Sequence, residues 1–355
     1  MIIDETMDLS TIKQLAVTYF KMQTFAPKYF LLDLVEIMDG MANIIYLAVK
    51  QVFSELHIPM QYIIGYSSDT TNVMFGEHNS VFQMLRAVYP NFYSVKCSCH
   101  LIHLASSYAA KMLPKHLEDL CRNIFNINHF HRSSKRQDAY RDFQEFFNVE
   151  PRQLLSPGQT RWLSLEACVN RILEQYLALQ HYFVLTANED PTHLNDRIVK
   201  SLHNKFTLAY LEFLSYQLQR FNVFNCLYQS ERPLLQNLKD EVEGLLKSIA
   251  SDFMVVQYIK ETNPKDINPT NVLHHVPQNQ TYIGIAATAT IHKIEEGATN
   301  EDLDRFRSDC KNFLIEIILQ IKQRVDLDAE IHDIVQCISP TKAAFRTPSS
   351  LAQII

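Results

Sequence analysis

Two aspartates far apart in the chain, Asp4 and Asp69, each close a run that reads as a buried strand: Ile2-Ile3 before the first, Tyr62 to Tyr66 with Ser67 and Ser68 before the second. A carboxylate at the end of a strand is held by a rigid backbone and looks into an open loop, where ligands and reactive groups collect. Two such carboxylates side by side could share a divalent cation. A pair of Mg²⁺ ions about 3.5 to 4 Å apart would activate water and stabilise the leaving oxygen in phosphodiester cleavage. The same two residues also read as ordinary solvated acids at strand ends. Further on, Cys97-Ser98-Cys99-His100 and His103 bring sulfur and nitrogen donors to one short stretch. Cys97 and His100 could begin a zinc site, but no second ligand pair follows at finger spacing, so no zinc is expected.

The elements that must position these groups follow from the patterning. Ile2 and Ile3 open a first strand, and Gln14 to Met22 and Tyr29 to Met38 read as two antiparallel strands joined by a turn around Pro27. A helix from about Gly40 to Leu56 carries Ile44, Ile45, Ala48, Val49, Val52, Phe53 and Leu56 at helical spacing. Pro59 ends that connection. Tyr62 to Tyr66 is the fourth strand, and Thr70, Thr71 and Asn72 are capping residues ahead of a helix through Val81, Phe82 and Leu85 that ends near Pro90. Phe92 to Val95 is the fifth strand and delivers Cys97, Cys99, His100 and His103. This order, three strands, helix, strand, helix, strand, is that of a ribonuclease H-like α/β fold. Its first and fourth strands are neighbours, which would bring Asp4 and Asp69 face to face.

Beyond Leu104 the pattern is helical for most of the remaining chain. Asn123 to Phe147 joins six aromatic residues to a basic cluster, Arg132, Lys135, Arg136 and Arg141. That cluster reads as a solvated helix face, because Asp138, Asp142 and Glu145 interleave with it, or as a local patch for DNA. Pro151 and Pro157-Gly158 mark a loop. Leu163 to Leu185 is a helix introduced by Thr160-Arg161-Trp162, which holds the single tryptophan. Phe206 to Tyr228 is apolar nearly all round, as in the central helix of a bundle, and Leu235 to Phe253 and Leu303 to Val325 are amphipathic stripes. Lys260 to Gln280, with Pro264, Pro269 and Pro277, reads as a connector. The expected division is a sheet core over 1–112, a helical insertion over 113–335 and a tail over 336–355. The chain reads as cut at both ends.

Composition narrows the field. The 355 residues allow a sizeable core, and seven glycines favour helix. A net charge of -6 and a pI near 6.2 supply no global field for nucleic acid, so DNA contact needs a local basic patch. Seven cysteines, most of them isolated in apolar helical patterns, read as reduced core residues of an intracellular protein. No basic leader and no run of eighteen apolar residues is present, so neither secretion nor membrane insertion is expected.

Four motifs in order give the chain a resemblance to a known family. Asp4-Glu5-Thr6-Met7-Asp8, Ser68-Asp69-Thr70-Thr71-Asn72-Val73-Met74, Cys97-Ser98-Cys99-His100 and Thr160-Arg161-Trp162 together resemble the hAT superfamily of cut-and-paste DNA transposases, in particular the transposase-derived zinc-finger BED-like group. The later Gln229-Ser230-Glu231-Arg232-Pro233 is similar to that group's helical region. The resemblance implies that Asp4 and Asp69 are two of three Mg²⁺-binding catalytic carboxylates and that Cys97 and His100 lie beside the active site. It implies that Arg161 and Trp162 hold DNA at the cleavage point, Trp162 by stacking on an extruded base. The family's third acid, a Glu on a late helix within Ser-Asn-Ala-x-x-x-Glu-Arg, has no counterpart here, and neither does its amino-terminal zinc finger. Glu231 copies the local letters but stands mid-insertion. Glu295, Glu296, Glu301 and Glu316 are the remaining candidates, with Glu316 the least implausible. The expectation is therefore a nuclear, nucleic-acid-associated transposase core with vestigial acids, open to protein partners, and a homodimer only where the family's C-terminal dimerisation region is present.

Overall fold

The computed structural model describes residues 1–7, 13–23, 26–125, 134–152, 163–189, 193–230, 232 and 234–336. Five strands form one mixed open sheet: β1 Ile2–Met7, β2 Lys13–Gln23, β3 Ala26–Glu36, β4 Gly65–Ser68 and β5 Tyr93–Lys96, in the spatial order β3-β2-β1-β4-β5. β1 pairs antiparallel with β2 and β2 with β3, whereas β4 runs parallel to both β1 and β5. The first and fourth strands are thus neighbours, as the order of elements requires.

Period-two alternation buries Ile3, Leu15, Val17 and Tyr66 on one face of this sheet. Against them lies α1, Ala42–Glu55, whose Ala42, Ile45, Val49, Val52 and Phe53 recur at helical spacing and are buried. α2, Asn72–Phe75, and α3, Val81–Val88, complete this core. The single helix expected after Asp69 is therefore two helices. The break is steric: a Cβ at Gly76 would meet the Asn72 carbonyl oxygen at 2.3 Å, so only glycine fits this turn. Ser80 then caps α3 by accepting the Gln83 amide. β4 starts at Gly65 rather than Tyr62; Met60–Tyr62 is a 3₁₀ turn that leaves Tyr62 and Ile64 71% and 82% exposed.

The chain divides into two compact units. The sheet, with its helices as far as Leu101, clusters with the described parts of 228–238 and 328–336, while 102–227 and 239–327 form an all-helical unit. The boundary falls inside α4, Ser98–Ala110, instead of at residue 112.

The helical unit continues through α5 (Lys115–Phe125), α6 (Ser134–Phe146), α7 (Leu163–Glu174), α8 (Tyr176–Glu189), α9 (His193–His203), α10 (Thr207–Tyr228), α11 (Leu238–Ala250), α12 (Val256–Glu261), α13 (Ile285–Ile294) and α14 (Asn300–Arg324). A last short helix, α15 (Glu330–Gln336), belongs to the sheet unit. α10 is buried on several faces and packs on α14 through Tyr210 against Phe306 and Phe213 against Phe313, with Phe206, just before α10, also stacked on Phe306. The helix expected from Leu163 to Leu185 is interrupted at Gln175. Its side chain is buried, accepts from the Tyr140 hydroxyl and the Gln144 amide, and donates to the Glu150 carbonyl, tying α6 to the α7–α8 junction. The connector after α12 is ordered rather than slack. Asn263, Asn268 and Asn271 each accept a nearby backbone N–H, and Ile267 is fully buried.

Candidate functional site

Asp4 and Asp69 belong to neighbouring strands of the sheet, Asp4 within β1 and Asp69 directly after β4. Ile2 pairs with Ser67 in the parallel β1–β4 ladder, and Asp4 and Asp69 each follow two residues later in their own strands' direction. Ser68 pairs with Lys96 in β4–β5, and the Cys97 amide donates to the Ser68 carbonyl at 3.0 Å, which brings Cys97 alongside Asp69. Asp69 and Cys97, both half-buried, directly follow the last residues of β4 and β5, whereas exposed Asp4 does not end its strand as expected: it pairs with Ala16 and β1 runs on to Met7.

Asp69 is oriented locally. Its Oδ1 accepts from both the Thr71 amide, at 3.2 Å, and the Thr71 hydroxyl, at 2.8 Å, an Asx-turn that turns the chain from β4 towards α2. The expected capping residue Thr71 therefore spends its hydroxyl on Asp69 and makes no side-chain cap to the helix. Beneath the tip, Ser68 donates to the Tyr66 hydroxyl, and Tyr66 sits among Phe75, Phe82 and Phe92. Burial pushes the Tyr66 phenol up to about 12, so it stays neutral and serves packing.

Cys97 stands immediately before α4. Its thiol is held down at about 6, first by a hydrogen bond from the Cys99 thiol and then, against the opposing effect of burial, by the backbone amides of His100 and Cys99; the Asp4 charge pushes it slightly up. Cys99, the donor, is driven upward by that same bond and by burial. The other thiols divide: Cys121 and Cys168, both buried, are pushed up to about 12 by desolvation, Cys310 is also buried and raised, and Cys226 is exposed. His100 contributes through its backbone amide and is half-buried.

Among the described residues no group of three or more His, Cys, Asp or Glu side chains is arranged to hold a metal ion. The late acids make local contacts: Glu295 pairs with Arg307 and His292, Glu301 with Arg305, and Glu316 accepts from Gln320. The basic cluster is dispersed along α6. Lys135 is exposed, Arg136 is half-buried, and Arg141 lies 3.8 Å from Asp138. Arg132, Arg161, Trp162 and Glu231 lie outside the described residues. No helix among the described residues is long and apolar enough to cross a membrane.

Sequence reasoning missed Thr71 as the residue that orients Asp69 and Cys99 as the donor that charges Cys97. The Asp-x-Thr spacing carried the first signal and Cys-x-Cys the second. No protein-family model matches the chain, and neither does any curated protein.

Proposed function

We propose that this chain is the ribonuclease H-like core of a hAT-type, transposase-derived nuclear protein that associates with nucleic acid without cleaving it. The observation that supports the reading is that Asp4 lies on β1 and Asp69 directly follows β4, its parallel neighbour in a sheet of order β3-β2-β1-β4-β5. The Asp-Glu-Thr-Met, Ser-Asp-Thr-Thr and Cys-x-x-His motifs fall on or directly after β1, β4 and β5, in the order the family resemblance requires.

The donor set fits Mg²⁺ and not a soft ion at the acids, since both groups are carboxylates and Asp69 is already oriented by Thr71. Asp4 and Asp69 would hold one such ion, which when bound supplies Lewis-acid polarisation of a phosphodiester oxygen. The pair alone carries two negative charges, enough for one divalent ion. In-line phosphodiester displacement by the two-metal route needs a further carboxylate to hold and balance the second. Hence the reading is association rather than cleavage.

The test is a gel assay of the purified chain with hairpin and terminal-repeat oligonucleotides in Mg²⁺ or Mn²⁺, with and without Asp69→Asn. Salt-sensitive binding with no strand breakage is expected. Metal-dependent nicking that Asp69→Asn abolishes would overturn the non-cleaving reading, and absence of any binding would overturn the nucleic-acid reading.

A further inference from the structure

Tyr108, near the C-terminal end of α4, has an exposed ring with two cations on it. The Lys111 ammonium lies 4.0 Å from the ring centroid and the Arg324 guanidinium carbon 4.8 Å. Both side chains belong to the helical unit, and among the described residues neither has an ion-pair partner. Several other arginines of the helical unit are answered: Arg122 by Glu118, Arg197 by Asp119, Arg220 by Asp252, Arg305 by Glu301 and Arg307 by Glu295. Arg324 also keeps its Nε buried with no hydrogen-bond acceptor.

Two like charges gathered on one ring repel, and a guanidinium N–H buried without an acceptor is costly. In a chain with a net charge of -6 an acid could readily have been placed here. The ends of α4 and α14 contribute about half a negative charge each, so roughly one unit of positive charge remains uncompensated. Arginine beside lysine, with a phenol between them, is a donor set matched to phosphate: a planar fork, a mobile ammonium and a hydroxyl.

We propose that Tyr108, Lys111 and Arg324 form a phosphate clamp for the backbone of a nucleic-acid strand. The proposal rests on the nucleic-acid reading above and names where on the helical unit the strand is held. The clamp was invisible to composition, since its charge is local. It is also separate from the basic cluster of α6, where Arg141 already faces an acid.

Fluorescence anisotropy of the whole chain with a labelled single-stranded oligonucleotide, titrated across salt, tests it with Lys111→Gln, Arg324→Gln, Arg324→Lys and the double glutamine variant. Lys111 is exposed, so its variant folds; circular dichroism checks the Arg324 variants. Each glutamine should lower the slope of log K against log salt by about 0.7, the double variant by about twice that, and Arg324→Lys should keep the wild-type slope. An unchanged slope in Lys111→Gln and in the double variant, with wild-type binding intact, would overturn the clamp and leave the broader reading standing. No wild-type binding at all would remove that broader reading. Binding of inorganic phosphate at Lys111 and Arg324 with oligonucleotide affinity unchanged in both variants would overturn the strand as its ligand.

Discussion

Alkylation of Cys97 gives the sharpest test of the geometry at the start of α4, because its reactivity depends on three contacts made there by Cys99 and His100. With the thiol lowered from 9.0 to about 6, half of Cys97 is thiolate at pH 6. A reference thiol of pKa 9.0 is then only about one part in a thousand thiolate, a roughly 500-fold difference in the reactive form. Nucleophilicity falls with basicity, and three units at a Brønsted slope of 0.4 to 0.5 cost about 15- to 30-fold, leaving Cys97 about 20-fold ahead per accessible thiol. At pH 8 the reference has recovered about a tenth of its thiolate, and Cys97 should then be the slower by about two-fold. Partial burial scales every Cys97 rate together and leaves the midpoint where it is. The assay is iodoacetamide labelling from pH 5 to 9 beside N-acetylcysteine, with the site read by tandem mass spectrometry. Cys99→Ala removes the leading hydrogen bond and should move the midpoint up, whereas Asp4→Asn removes an opposing charge and should move it down. A midpoint near 9, or one indifferent to both substitutions, would refute the geometry. The linked stability has a definite sign. A thiol depressed in the folded state stabilises above its unfolded pKa, and that contribution fades as pH falls from about 9 to about 6.

Two substitutions probe the helical unit. Gln175→Ala deprives the Tyr140 hydroxyl and the Gln144 amide of a buried acceptor and the Glu150 carbonyl of a donor, and should destabilise by about 2 to 4 kcal/mol in urea unfolding; a loss below about 0.5 kcal/mol would show that water replaces it. Asp252→Ala leaves Arg220 without the carboxylate it meets at 2.8 Å and should cost about 3 to 5 kcal/mol. Burial raises the Asp252 carboxyl despite Arg220, so this site gains relative stability on acidification, and mild acid should widen the gap between wild type and Asp252→Ala.

Short-range periodicity made much of this architecture legible. Apolar residues two apart in β2 and three to four apart in α1, α10 and α14 identify those elements, because each buries a face whose spacing is dictated by its own backbone repeat. The order of elements was enough to anticipate β1 beside β4, though not that β1 would run on past Asp4 to Met7. Local pattern failed where burial depended on partners. Tyr62 and Ile64 are as apolar as Tyr66, yet they face solvent while Tyr66 enters an aromatic cluster, so β4 begins three residues later than hydropathy implies. Gly76 divides a helix because of one carbonyl, and the proline-rich connector is ordered by asparagine side chains that composition reads as loop. Charge was decided by tertiary structure to different degrees. Cys97 is lowered by its own chain neighbours Cys99 and His100 where α4 starts, with only the opposing Asp4 charge coming from afar, whereas Lys111 and Arg324 share a ring although more than two hundred residues of chain lie between them. A sequence pattern records which residues recur along one element. The field at an atom is set by whatever the fold brings within a few ångströms of it.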